Sequence, residues 1–185
     1  VAVNTSWQAA RFARWVYAGD PAWWEAHRTS IDVPAQRWTC NRMAAKRWGL
    51  KHHTGRLGKY NSGMRAIQFA IDRGARTIIL LGYDCSLKHG IHRHGEHTRT
   101  GNPRDPALKG WHQQFGWVAT EARRKGIRIW NCSRHTALRC FETMTLEAAL
   151  ESIGRGVDVG REQSLQAAIR ERARIDVPTA PEPCA

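Results

Sequence analysis

Four histidines lie close together in one polar stretch of the chain, and their side chains could do several kinds of chemistry. They are His89, His92, His94 and His97. Because imidazole titrates near neutral pH, one of them could take a proton from a substrate hydroxyl. His92, His94 and His97 could also bind a metal ion, but their spacing is not a strong zinc pattern and we predict no metal site. A third interpretation is structural, with the histidines hydrogen-bonded inside a loop or touching phosphate.

Two further reactive groups precede the histidines. Asp84 and Cys85 directly follow a short apolar run. Asp84 could ligate a cation, contact a ribose hydroxyl or close an Asx turn. Cys85 could be a nucleophile, but no partner is identifiable for it, and a buried, inert thiol is the commoner state. His94 and Glu96 match part of the zinc-deaminase motif, but the cysteine pair of that motif is absent, so the sequence excludes deaminase chemistry.

A helix and a strand lead into the histidine stretch. The helix is predicted to begin at Ser62, its N-cap, and to end at Gly74, because apolar residues recur between them at helical spacing. Residues 77–81 form an apolar run rich in β-branched side chains, which predicts a buried strand. Gly82 and Asp84 therefore follow the carboxyl end of this strand, where ligands bind in open α/β sheets.

Other predicted strands also end in small polar residues. The strands are predicted at 1–3, 15–18, 37–40 and 127–130, and helices are predicted at 7–15, 41–48, 106–125 and 145–153. Asn4, Asp20 and Ser133 follow three of these strands. Such side chains can bind the base, sugar or phosphate of a ligand, or can cap the next helix. The alternation predicts an α/β fold with a mostly parallel, Rossmann-like, three-layer sheet and a site along one edge.

Ser62 and Gly63 stand where that helix begins. A glycine at this point lets the backbone come close to a ligand, and the free N–H groups of a helix start favour phosphate. An ordinary capped helix would explain the same residues. The pair is therefore a candidate phosphate site that needs its neighbours for support.

Length and composition favour one domain. At 185 residues the chain can bury a sizeable core, and we predict a domain over 1–153 followed by a charged helix and a disordered tail over 154–185. No apolar run approaches the roughly 20 residues that span a bilayer, so no membrane partner is expected. Five scattered cysteines without a paired motif favour a reducing, cytoplasmic setting.

The net charge of +13 predicts a polyanionic partner. No acid occurs between Asp32 and Asp72, whereas basic residues recur from Arg37 to Arg65. Nucleic acid, nucleotide phosphates and acidic glycans would all be attracted to such a segment, although basic surfaces also serve solubility alone. The nine tryptophans could stack on bases, but most are expected to pack in the core.

The sequence from residue 61 to 84, the histidine stretch and the segment IRIWNCSRHTAL together resemble a Rossmann-like group of phage and prophage proteins. This group is related to bacterial CMP-sialic acid-dependent sialyltransferases and to pterin diphosphokinase-like proteins. The opening VAVNTSW resembles the second strand of the group, and VYAGDPAWW resembles its next strand. The resemblance covers about residues 1–150, and it implies that the N-terminal strand of the family is missing here.

The resemblance implies a nucleotide site built from several strand ends. Asn4, Asp20, Ser62 and Gly63 would lie near the nucleotide, and Gly82 would border the donor. The ligand would be a nucleotide-activated donor such as a CMP-sugar.

The resemblance also implies a catalytic base. His97 corresponds to the base of the sialyltransferases, which deprotonates an acceptor hydroxyl as the donor sugar leaves. Asp84 would lie beside the donor and Ser133 near its phosphate. The expected function is transfer from a nucleotide-activated donor to a hydroxyl. The alternative is a non-catalytic, basic nucleic-acid-binding protein.

This sequence lacks two features of the family that sialyl transfer uses. The glycine-rich GxGPS loop that holds the nucleotide phosphates in the family is absent from this sequence. The tyrosine pair of the sialyltransferases is also absent, because Tyr83 precedes Asp84 and Ser86 stands where a tyrosine is expected. Nucleotide-dependent transfer of another group fits these residues better than sialyl transfer.

Overall fold

The computed structural model describes residues 1–56, 61–86 and 105–154, with side chains in the last range described from residue 110. The chain divides into two compact units, Val1–Met144 and Thr145–Ala185. The division falls earlier in the chain than the boundary predicted after residue 153. In the second unit the structure describes a helix over 146–154. The predicted helix at 165–175 and the predicted tail fall outside the described residues.

The described residues form two sheets in which every strand pairing is parallel. The first sheet has the order β1 (Ala2–Val3), β2 (Trp15–Tyr17), β3 (Gln36–Thr39) and β4 (Lys51–His52). The second has the order β5 (Thr77–Leu80), β6 (Arg128–Asn131) and β7 (Glu142–Thr143). The predicted α/β, Rossmann-like class is confirmed.

Four helices in the first unit connect these strands. They are α1 (Pro21–His27), α2 (Arg42–Trp48), α3 (Ser62–Asp72) and α4 (Asp105–Arg124). Asp20, Asn41 and Asn61 cap the first three, because each side-chain oxygen accepts a backbone N–H of the first turn. Gly49, with φ of 64°, ends α2 in the left-handed conformation that glycine tolerates.

Alternating side chains divide the first sheet between two helical layers. Val16 faces α1 and α2, where it packs in a cluster with Trp24 and Ala45. Tyr17, one residue later, faces α3 and packs with Phe69. The second sheet packs against α3 and α4 through a third buried cluster. The three layers predicted from the sequence are therefore present around the first sheet.

The helix predicted over 7–15 is wrong. The chain instead forms a 3-10 helix over Asn4–Gln8 and then runs irregularly to β2. Trp7 is 4% exposed because it packs in the cluster beneath the first sheet, so its spacing from Trp15 reflects tertiary packing and not a helical face. The side chain of Ser6 accepts the N–H of Val3 and closes the turn.

Two strands and one cap were also not predicted. β4 and β7 are two-residue strands, too short to show an apolar pattern. The predicted N-cap, Ser62, is the first residue inside α3, and Asn61 is the cap: its Oδ1 accepts the N–H of Met64 at 2.9 Å. In the part of the chain that the structure describes, no helix is long and apolar enough to cross a membrane.

Candidate functional site

The first turn of α3 lies between the carboxyl ends of strands from both sheets. The hydroxyl of Ser62 accepts the N–H of Gly19, which follows β2, at 3.0 Å. The hydroxyl of Tyr83, which follows β5, donates to the carbonyl of Gly63 at 3.1 Å. Both sheets therefore end at one place, which we call the carboxyl edge.

The start of α3 also suits an anion. Asn61 satisfies the N–H of Met64, but the preceding amides of Ser62 and Gly63 have no acceptor inside the helix. The helix dipole places partial positive charge at the same point. The predicted residues Ser62 and Gly63 thus lie where a phosphate would be attracted, at the meeting point of the two sheets.

Gly63 has a packing role in addition. A Cβ atom at this position would lie 3.1 Å from Cε1 of Tyr83, closer than ordinary van der Waals contact. Burial raises the pKa of Tyr83, so its phenol stays protonated and donates to the Gly63 carbonyl at neutral pH. The glycine therefore allows the tyrosine ring to lie against the helix start.

Ser133 lies at the same edge, held in a network of neutral side chains. Its hydroxyl accepts the N–H of Tyr83 at 2.7 Å. The fully buried Asn131 donates to the Tyr83 carbonyl at 3.2 Å and to Thr136 Oγ1 at 3.0 Å, and accepts the N–H of Ser133 at 3.1 Å. Thr136, for which no sequence pattern predicts a role, also donates to that carbonyl at 2.8 Å. The network fixes the loops after β5 and β6.

Asn4 is strained and incompletely bonded. Val3 pairs with Tyr17, so Asn4 lies beside the end of β2. Its φ is 51°, in the left-handed region that few residues except glycine and asparagine enter. Its Oδ1 is buried, with no hydrogen-bond partner among the described residues. A buried, unsatisfied amide oxygen at the carboxyl end of β1 is where a ligand donor would fit.

The remaining predicted residues divide into one cap and two exposed positions. Asp20 caps α1, because its Oδ1 accepts the N–H of Ala22 at 2.9 Å. Gly82 has φ of 74° and is exposed at the end of β5. Asp84 is exposed, and its carbonyl accepts the N–H of Ala137 at 2.8 Å. The Asp84 carboxylate thus lies on the surface of the same edge.

The thiol of Cys85 is in an environment that lowers its reactivity. Burial, with a smaller contribution from Cys140, raises its pKa to about 11. The nucleophile would be the thiolate, which is scarce at neutral pH when the pKa is raised in this way. The carbonyl of Cys85 lies 3.2 Å from Nε2 of His112, so the contact with the histidine involves its backbone and not its sulfur.

A buried polar chain beneath α3 was missed by the sequence reasoning. Nε2 of His53 lies 2.8 Å from Oδ2 of Asp72, and Nδ1 lies 3.1 Å from the hydroxyl of Tyr17. Burial, with an added contribution from Cys40, raises the pKa of Tyr17. Tyr17 is fully buried and Asp72 is exposed, so this chain runs from β2 through the loop after β4 to the surface at the end of α3.

Part of the basic block from Arg37 to Arg65 makes contacts within the fold. Arg65 is 7% exposed and donates to the carbonyl of Arg56. Arg56 forms an ion pair with Glu121 at 2.9 Å, and Arg37 donates to the carbonyls of Arg28 and Ile31. Arg42, Lys46 and Arg47 on α2 are exposed.

A groove of about 230 Å³ lies away from the carboxyl edge. It opens between the end of α4 and strands β6 and β7, and its lining includes Arg123, Arg128 and Glu142. None of the predicted nucleotide residues lines it. Across residues 1–56, 61–86 and 110–154, no group of three histidine, cysteine or acidic side chains could hold a metal ion.

The histidine stretch, including His89, His92, His94 and His97, lies outside the described residues. The sequence matches no protein-family model, and no curated protein or solved structure matches it significantly. The resemblance to the sialyltransferase-related phage group therefore stays a prediction, as does the role of His97.

Proposed function

We propose that the protein binds a nucleotide-activated donor at the carboxyl edge and transfers a group from it to a hydroxyl. The observation that carries this proposal is the position of the first turn of α3 between the ends of β2 and β5, through the Ser62–Gly19 and Tyr83–Gly63 hydrogen bonds. In open α/β folds this is where nucleotides bind, with phosphate at the helix start. A CMP-sugar is one donor of this class.

Different groups of the protein would bind the phosphate, the base or sugar, and the acceptor proton. The amides of Ser62 and Gly63 donate to phosphate oxygens, and the buried Oδ1 of Asn4 accepts a hydrogen bond from the base or sugar. Asp84, which is exposed, binds a sugar hydroxyl. His97 accepts the proton of the acceptor hydroxyl as the bond to the leaving phosphate breaks. The leaving nucleotide takes up its negative charge at the positive end of α3.

Ligand-induced stabilisation tests the binding part of the proposal. Thermal unfolding is measured with CMP, UDP, GDP and ADP, each at several concentrations. A nucleotide present at about 100 times its Kd raises the unfolding free energy by about 2.7 kcal/mol. Absence of stabilisation by every nucleotide would contradict the proposal.

Asn4→Gly separates binding from folding. Glycine accepts the positive φ without strain, and the substitution removes a buried oxygen that has no partner among the described residues. The free variant should therefore be at least as stable as the parent, while its stabilisation by nucleotide is reduced or lost. If the variant responds to nucleotide as the parent does, Asn4 has no part in the site.

His97→Ala tests the catalytic part. With a nucleotide identified by stabilisation, the transfer or hydrolysis of its sugar derivative should fall by about 10²–10⁴-fold, and nucleotide affinity should be unchanged. His92→Ala and His94→Ala, from the same stretch, are the matched controls and should retain activity. Equal losses in all three variants would remove the specific role of His97.

A further inference from the structure

The edge opposite the proposed nucleotide site carries several exposed arginines. Because all described strands are parallel and α3 and α4 run back against them, strand starts and these helix ends meet on one side, which we call the amino edge. Arg14 precedes β2, and Arg128 begins β6. Arg73 follows α3, and Arg76 precedes β5. All four side chains are exposed.

Backbone hydrogen bonds align Arg14 with the start of β3 and pair Arg76 with Arg128 across β5 and β6. The N–H of Gln36 donates to the carbonyl of Arg14 at 3.0 Å, which aligns the starts of β2 and β3. The N–H of Arg128 donates to the carbonyl of Arg76 at 3.0 Å, which aligns β5 and β6. Arg123 and Arg124, in the last turn of α4, are exposed close to the start of β6.

Several of these cations lie over tryptophan rings. Arg14 is 5.3 Å from the ring centre of Trp15, and Arg128 is 5.1 Å from that of Trp130. Arg73 is 4.3 Å from that of Trp38. The rings hold the cations in position at the edge. Trp38 and Trp130 are themselves buried, at 7% and 5% exposure, so they are not free to stack on bases.

Three acids near this edge have partners among the described residues. Asp72 accepts from His53, Glu121 pairs with Arg56 and Lys125, and Glu142 accepts the indole N–H of Trp130. Helix dipoles explain basic residues at the ends of α3 and α4, but not those at the starts of strands. Helix dipoles therefore do not account for the exposed positive charge at Arg14, Arg76 and Arg128.

We propose that the amino edge binds the phosphate backbone of nucleic acid without reading its sequence. The surface is defined by Arg14, Arg73, Arg76 and Arg128. All four are arginines, whose planar guanidinium matches phosphate oxygens in pairs. Trp38 and Trp130 are buried, so the proposed contacts are to phosphate oxygens and not to base faces.

The proposal does not depend on the nucleotide site and adds a second partner to the protein. The two can be separated experimentally, because no residue of the amino edge takes part in the proposed nucleotide site. A transferase that acts on a nucleic acid would use both edges, but binding of nucleic acid alone is sufficient for the inference.

Fluorescence anisotropy of the full chain with labelled 20-nucleotide DNA provides the test. Two unrelated sequences are used, each single-stranded and as a duplex, over a range of salt concentrations. We expect similar affinity for both sequences and a linear fall of log K with log salt concentration. Strong preference for one sequence would contradict the proposal, as would binding that does not respond to salt.

Charge-neutral variants locate the surface. The triple variant Arg14→Gln, Arg76→Gln and Arg128→Gln should reduce the salt slope by about 2–3 and the affinity in 0.1 M salt by more than about tenfold. The control, Arg42→Gln, Lys46→Gln and Arg134→Gln, removes the same net charge from other exposed positions. Thermal unfolding of both variants shows that they are folded.

The outcomes are distinguishable. A loss confined to the amino-edge variant supports the proposal, whereas equal losses in both variants would show attraction by net charge alone and would overturn it. Binding of anionic vesicles or a sulfated glycan through the same three arginines, without binding of DNA or RNA, would replace nucleic acid as the partner. None of these results bears on the nucleotide-induced stabilisation of the carboxyl edge.

Discussion

The two edges of the first unit are built from opposite kinds of side chain. At the carboxyl edge, the neutral groups of Ser62, Tyr83 and Asn131 bond to one another and to backbone. At the amino edge, cations such as Arg76 and Arg128 are exposed at the starts of strands, and several lie over aromatic rings. The first arrangement fixes loops in place, while the second produces a field that acts on distant charges.

This difference leads to different consequences of substitution. A buried hydrogen-bonded side chain leaves its partners unsatisfied when it is removed, which lowers stability. An exposed cation can be removed with little effect on folding, but its loss weakens the attraction of an anion. Substitutions at the carboxyl edge should therefore change stability, and those at the amino edge should change salt-dependent binding.

The largest effect is expected at Asn131, which holds three hydrogen bonds of the carboxyl edge while fully buried. Asn131→Ala should lower the free energy of unfolding by about 2–3 kcal/mol, measured by urea denaturation. Arg76→Gln at the amino edge is the control and should change it by no more than about 0.5 kcal/mol. Similar losses for both would show that the two edges do not differ in the way described.

The next effect concerns Cys85, whose pKa of about 11 lies above the ordinary thiol value of 9.0 because it is buried. Its thiolate fraction at pH 7.5 should be about 100-fold smaller than that of an ordinary thiol. Alkylation by iodoacetamide, followed by peptide mass spectrometry, should be slow at this pH and rise about tenfold per pH unit up to about pH 11. In urea, which unfolds the protein, Cys85 should be alkylated as fast as an ordinary thiol. Fast alkylation of the folded protein would restore Cys85 as a candidate nucleophile.

Much of the carboxyl edge could be predicted from the sequence, because local patterns specify where strands stop. The apolar run of β5 and the polar residues after it identified the edge, and the helix after residue 61 was recognised by its spacing. Ser62 was misassigned as the cap because both Asn61 and Ser62 are good capping residues. A tertiary contact decides between them, since the Ser62 hydroxyl is occupied by the amide of Gly19.

The amino edge could not be predicted in the same way. Its residues run from Arg14 to Arg128, and only the parallel topology brings them to one side. In the sequence, the most conspicuous basic segment was 37–65, yet Arg37 and Arg65 donate to backbone carbonyls inside the fold. Charge counted along the chain therefore indicated the class of partner but not the surface. The short strands β4 and β7 were missed for a related reason, because pairing and not pattern defines them.

The smallest effect is expected when alanine replaces either of two helical glycines, Gly116 and Gly63. At both positions alanine has the higher helix propensity. Gly116→Ala places a methyl group in open space within α4 and should stabilise the protein by about 0.5–1 kcal/mol. At Gly63 the same methyl group would lie 3.1 Å from Tyr83 Cε1 and 3.2 Å from Asn61 Oδ1. The ring is held by its own hydrogen bond to the Gly63 carbonyl, so the contact cannot relax without loss of that bond.

Gly63→Ala should therefore destabilise the protein by about 1 kcal/mol, despite the gain in helix propensity. The sign of the difference between the two variants, measured by urea denaturation, is the informative quantity. Equal stabilisation would mean that Tyr83 can move away from the start of α3, and the carboxyl edge would then be a looser assembly than its hydrogen bonds indicate. If Gly63→Ala lowers the free energy of unfolding and Gly116→Ala raises it, the helix start and Tyr83 form one packed unit. Rigid binding of a phosphate at that point requires such a unit.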